Sequence, residues 1–303
     1  MSKILLNKIK KLKTEKNAFI AAHIYQPPEI QEMADYVSDS LDLAKIVRQT
    51  KAEIILFCGV KFMAETAKIL APDKKILACD LTATCPMAHM VTEKEIKELK
   101  KKYPQASVVT YVNSTTTLKA LADFCCTSAN AKKIIAQIKT SEIIFAPDQN
   151  LGKYLESQFL DKKFILTSGY CPCHHHISLA SLQKKQKAHP EAKILAHPEC
   201  PPAILNQADF IGSTTQIINF AAQDFDPKTF LIATEKGTLH ALHQKAPQHQ
   251  FVLADDQLIC PDMKKTSLLK VYETLLKENS AIEVDQVSAQ KAIQAIENMF
   301  SLT

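Results

Sequence analysis

Short apolar runs alternate with amphipathic stretches along this chain, and the alternation repeats with a long period. One kind of run appears at NAFIAA (17–22), ASVVT (106–110) and AKILA (192–196). A second follows at EIILFCG (53–59), EIIFAPD (142–148) and TFLIATE (229–235). A third follows at KKILACD (74–80), KKFILTS (162–168) and HQFVLAD (249–255). Runs this short, rich in Ile, Val and Phe and separated by helix-patterned segments, read as the strands of parallel βαβ units. Each set closes on a Cys-Pro pair: Cys85-Pro86, Cys171-Pro172 and Cys260-Pro261.

The repeats align without gaps. AHIYQPPEIQEMADYVSDS (22–40), TYVNSTTTLKALADFCCTS (110–128) and AHPECPPAILNQADFIGST (196–214) share an Ala-Asp-aromatic element. The aspartates, Asp35, Asp123 and Asp209, lie 88 and 86 residues apart, and the Cys-Pro cysteines 86 and 89. Such self-similarity predicts an α/β protein of three αβα (three-layer) domains with small parallel sheets, related by a pseudo-threefold axis around a central cluster site. The expected boundaries are a basic N-terminal helix over 1–17 and repeats over 18–105, 106–190 and 191–303, the last with extra C-terminal helices.

In open α/β sheets, ligands collect at the carboxyl ends of strands. His23, Tyr111 and His197 fall at such ends, with Tyr25, Asn113 and Glu199 two residues on. Ser40, Ser128, Ser213 and Thr214 stand where loops enter helices; there, free amides and the helix dipole favour an anion. A plain N-cap role is compatible with that seat. Glu199 is the one carboxylate among the strand-end groups and so the natural general base. In the run His174 to His176, His174, three residues after Cys171, is the one expected to face the site.

Cys85, Cys171 and Cys260, one per repeat, are the candidate ligands of an iron–sulfur cluster. Thiolates suit zinc and iron–sulfur clusters, and the CxxC pairs common in structural zinc sites are missing. Three thiolates leave one iron free to act as a Lewis acid. The alternative is three buried thiols with no metal. Cys58, Cys79, Cys125 and Cys126 read as core, whereas Cys173 and Cys200 read as spare ligands or plain thiols.

Composition narrows the field. Nine cysteines with no secretion signal point to a reducing cytoplasm. No apolar run is long enough for a membrane span. Arg48 is the only arginine, which argues against nucleic acid and leaves anions to amides, hydroxyls and Lys.

The motifs resemble the quinolinate synthase family of bacterial NAD biosynthesis. The resemblance rests on AHIYQPPEIQEMADYVSDSLDLAK, FCGVKFMAETAKIL, Cys85-Pro-Met-Ala, TYVNS, TSANA, Cys171-x-x-His174, AHPEC, IGST, ATEKG and CPDMKKTSL, spread from about residue 19 to residue 270. It implies a central 4Fe–4S cluster on Cys85, Cys171 and Cys260, with the fourth iron binding substrate. It implies condensation of iminoaspartate with dihydroxyacetone phosphate, giving quinolinate, phosphate and water, with an L-aspartate oxidase as the candidate supplier of iminoaspartate. By motif position His23, Tyr25, Tyr111, Asn113, His174, His197 and Glu199 line the cavity. Ser40, Ser128, Ser213 and Thr214 hold carboxylates and phosphate. Tyr25 and Glu199 transfer protons, and His197 assists the triose part. The chain departs from the family in having Lys61 for a usual His, no Trp near Ser168, and Cys173 beside Cys171. Rival plans with three cysteines are reductive dehydratases and diphthamide-forming enzymes; a rival of another class is a non-catalytic iron store.

Overall fold

A computed structural model describes residues 2–302. Among the described residues, twelve strands form three parallel sheets of four. In the first unit they are β1 (Ala18–His23), β2 (Tyr36–Ser38), β3 (Ile54–Cys58) and β4 (Lys75–Ala78). In the second they are β5 (Ser107–Tyr111), β6 (Phe124–Cys126), β7 (Glu142–Ala146) and β8 (Lys163–Leu166). In the third they are β9 (Lys193–Ala196), β10 (Phe210–Ile211), β11 (Thr229–Ala233) and β12 (Gln250–Leu253). The strand order is the same each time: β2-β1-β3-β4, β6-β5-β7-β8 and β10-β9-β11-β12. All three families of apolar runs are strands, as the pattern predicts.

Burial on both faces explains the near-continuous apolar character of the strands. In the first sheet Ala21, Ile55 and Phe57 face one core, while Ile20, Ala22, Leu56 and Cys58 face another. The period-two alternation thus separates two cores rather than core from water.

The repeated Ala-Asp element is a strand clamp. Asp35 Oδ2 accepts from Ile20 N at 2.9 Å, Asp123 Oδ2 from Val108 N at 2.7 Å and Asp209 Oδ2 from Ile194 N at 2.7 Å. The backbone amide of each aspartate donates back to the carbonyl of the same partner at 2.9 Å. A carboxylate accepting from a strand amide satisfies a ladder group that the short edge strands β2, β6 and β10 leave unpaired.

The chain termini seal the assembly. The N-terminal helix Ser2–Glu15 and the helix Leu268–Lys277 cover the outer face of the first sheet with Ile9, Val271 and Leu275. The last helix, Gln286–Ser301, buries Ala292, Ala295, Ile296 and Met299 in a core that the first and second units share. Burying a side chain the size of Ile296 or Met299 contributes roughly 1.5–3 kcal/mol, so this helix binds the two units together.

Candidate functional site

One cavity lies where the three units meet, and each unit lines it with the same four positions. The first supplies His23, Tyr25, Ser40 and Cys85; the second Tyr111, Asn113, Ser128 and Cys171; the third His197, Glu199, Thr214 and Cys260. Parallel strands put His23, Tyr111 and His197 at carboxyl ends, and the following loops turn the next polar side chain inward.

A common tie brings the cysteine loops to these strand ends. Lys61 N donates to Ala83 O at 2.8 Å, Gln149 N to Gly169 O at 2.7 Å and Lys236 N to Leu258 O at 2.8 Å, each acceptor two residues before its cysteine. In two units a buried carboxylate reinforces the tie. Cys171 N donates to Asp148 Oδ2 at 3.0 Å, and Cys260 N to Glu235 Oε1 at 3.1 Å. Val60 stands at the equivalent place in the first unit.

Each sulfur also faces amides of the turn that follows it: Met87 and Ala88 for Cys85, His174 for Cys171, Asp262 and Met263 for Cys260. Those amides favour thiolate. Burial opposes them and prevails, pushing the Cys85 thiol up to about 12 and raising Cys171 and Cys260 too. Three half-buried thiols, each beside amide donors, match an anionic, thiolate-held group whose metal displaces the protons. Cys171, His174 and Glu199 also place donor atoms within 4.8 Å of one another, close enough for a single ion.

His23 and His197 are locked in the same tautomer. Tyr25 N donates to His23 Nδ1 at 3.1 Å, and Glu199 N to His197 Nδ1 at 3.3 Å. With Nδ1 accepting, the proton of each neutral ring sits on Nε2. His197 Nε2 lies 3.2 Å from Ser128 Oγ. Burial foremost, with the Lys264 charge added at His23 and the other rings at His197, pulls both down to about 3. Both rings therefore present a neutral N–H donor near pH 7.

Glu199 is buried between partners. His174 Nδ1 lies 2.8 Å from its Oε2, and Tyr111 hydrogen-bonds it as well. Burial raises its pKa, but His197, His174 and Tyr111 outweigh that and hold it at about 2. Burial, with the Glu199 charge second, lifts the pKa values of Tyr25 and Tyr111 well above the phenol range. Glu199 Oε1 and Asn113 Oδ1 have no hydrogen-bond partner among the described residues. Buried acceptors of that kind in a cavity call for donors from a ligand.

His174 and Ser213 stand behind the lining. His174 joins Cys171 Sγ at 3.2 Å and Thr234 Oγ1 at 3.0 Å. Ser213 closes a capping box with Gln216 and donates to Asp39 Oδ2 at 3.3 Å. Thr234, which sequence reasoning missed, also contacts the Tyr25 hydroxyl at 3.0 Å; Thr214 lies 2.9 Å from the same oxygen. Tyr25, Thr234, His174 and Glu199 thus form one chain of hydrogen bonds across all three units. Asp39, Thr127 and Cys173 line the cavity too. Asp39 and Thr127 directly precede Ser40 and Ser128, so the repeat itself carried that signal.

The family model for quinolinate synthetase A protein matches residues 7–301. The chain belongs to the quinolinate synthase family. It is 47% identical over 296 residues to a quinolinate synthase of Clostridium perfringens (strain SM101 / Type A), covering 98% of each chain. It is 45% identical over 299 residues to that of Caldicellulosiruptor bescii, covering 99% of this chain and 98% of the relative. It is 45% identical over 298 residues to that of Alkaliphilus metalliredigens, covering 98% of each. Matches of this extent span all three units of this chain, so no part of the cavity lies outside the shared region. No helix among the described residues is long and apolar enough to cross a membrane.

Proposed function

We propose that this chain makes quinolinate from iminoaspartate and dihydroxyacetone phosphate in the cytoplasm. The observation that carries the reading is the shared cavity to which every unit contributes one cysteine and three polar side chains. Cys85, Cys171 and Cys260 would hold a 4Fe–4S cluster, and an iron with no protein ligand supplies Lewis acidity toward a substrate oxygen.

The other residues then have defined work. His23 and His197 offer neutral Nε2–H donors to substrate carboxylate or phosphate, and Ser40, Ser128 and Thr214 add hydroxyls at helix entrances. Ser213 serves this seat indirectly, by capping the helix that presents Thr214. Asn113 orients substrate polar groups through its free acceptor. Glu199 takes a proton from substrate carbon. Its pKa of about 2 makes it a weak base until a substrate anion arrives and raises it. Tyr25 and Tyr111, kept as phenols, hand protons to leaving oxygens. A partner oxidase that generates iminoaspartate completes the proposal.

The test is quinolinate formation by anaerobically reconstituted protein, with iminoaspartate generated in place and dihydroxyacetone phosphate added. Product that disappears after exposure to air is expected. Iron and sulfide at four per chain, with no product, would reject the activity while leaving the cluster intact.

The Tyr25–Thr234–His174 chain gives a narrower expectation. Thr234→Val keeps the shape of the side chain and removes the hydroxyl. It should lower kcat about tenfold at unchanged cluster content, the size of one buried hydrogen bond. Thr234→Ser should restore most of the rate in steady-state assays.

A further inference from the structure

Lys119 is fully buried and has no part in the chemistry above. It ends the short helix Thr116–Lys119, and its ammonium donates to Ser114 O at 2.8 Å. It also lies 5.3 Å from the centroid of the Phe62 ring. An ammonium carries three N–H donors, and one carbonyl with one aromatic face is poor compensation for lost hydration. Glu65, a carboxylate in its electrostatic surroundings, pairs with Lys61 at 3.8 Å instead. Burial draws the Lys119 pKa down to about 8, so the charge persists at neutral pH. Such a cation needs an anion nearby.

The surroundings indicate which anion. Phe62 and Cys85 together line the central cavity, and the same pair lines an outer cavity of about 270 Å³ on their other side. Lys119 packs on the Phe62 ring of that partition, and its charge interacts with Cys125 first, then with Glu65 and with the Cys85 sulfur. Cys125 is a thiol that burial pushes up to about 12, so it carries no charge to answer the ammonium. A cluster held by three thiolates carries net negative charge in its resting state and more when reduced. A fixed buried cation favours the more reduced form, because net charge is one of the quantities that set the potential of such clusters.

We infer that Lys119 is the buried counter-charge of the thiolate-held cluster, raising its reduction potential and slowing its loss in air. The inference rests on the cluster assignment proposed above. Loss in air begins when one electron passes from the resting core to dioxygen, giving superoxide. The over-oxidised core then releases one ferrous ion and leaves a three-iron core. Lys119 opposes the first step by disfavouring the more positive core.

The test compares holoenzyme and apoprotein of wild type, Lys119→Met and Lys119→Arg, after iron and sulfide analysis. With equal loading, Lys119→Met is expected to have a more negative midpoint in an EPR-monitored redox titration. Its cluster absorbance should decay several-fold faster in air, and Lys119→Arg should restore both. The apoprotein Tm should not fall, since methionine suits a buried site better than a lone ammonium. An unchanged midpoint and decay rate would overturn the inference, as would a lower apoprotein Tm with no shift in midpoint. Failure of wild type itself to take up iron and sulfide would instead reject the cluster assignment, and this inference with it.

Discussion

Replacing any one of Cys85, Cys171 and Cys260 with alanine is expected to leave a folded protein that holds no complete cluster and makes no quinolinate. Each sulfur comes from a different unit, and no two lie on one loop. No neighbouring ligand can slide over to compensate, apart from Cys173 beside Cys171. Burial keeps the thiols protonated in the apoprotein, at about 12 for Cys85. Ligation must therefore displace those protons, and a site short of one thiolate loses much of that driving force. The measurement is iron and sulfide content with visible absorbance after anaerobic reconstitution. Cys58→Ala is the control, since that thiol is buried in the first-unit core and does not line the cavity. A full cluster in Cys171→Ala, with loss in Cys173→Ala, would transfer the second ligand to Cys173.

Glu199→Gln should retain the cluster and lose about 10²–10⁴-fold in kcat, the range for removing a general base. The substitution keeps the shape but removes the charge that faces His174, His197 and Tyr111. The pH dependence carries a sign. With Glu199 at about 2 and both His23 and His197 at about 3, all three groups keep one protonation state above roughly pH 5. The free-enzyme profile of kcat/KM should therefore show no acid limb from these groups between pH 5 and pH 7. A rate within about threefold of wild type in Glu199→Gln would remove the carboxylate from the chemistry.

Much of the architecture was legible because the chain states it three times. A strand buried on both faces must be apolar throughout, and nine of the twelve strands lie in the nine apolar runs. The three short edge strands do not, and Asp35, Asp123 and Asp209 reveal them instead. The repeated Ala-Asp proved to be a clamp on the neighbouring strand, a role that no spacing argument suggests. The strand-end residues were legible for the same reason, since one offset recurs at His23, Tyr111 and His197.

Groups that act across units were harder to read. Thr234 matters because Tyr25 and His174 meet it from other units, and nothing in ATEKG signals that meeting. Lys119 looks like any surface lysine on an amphipathic stretch until Phe62 closes over it. Asp148 and Glu235 were within reach, for each stands two residues beyond its strand. Val60 in the first unit hid the correspondence.

The split of one cavity among three units also orders events during synthesis. Each αβα unit has its own sheet, but the first sheet is covered only when the helices Leu268–Lys277 and Gln286–Ser301 have emerged. The third sulfur, at residue 260, emerges near the end, and the helix that joins the first two units ends at Ser301. Insertion of the proposed cluster would therefore be a task for the finished chain. A nascent chain stalled before Cys260 would display two of the three candidate cluster thiols and an open, unfinished cavity.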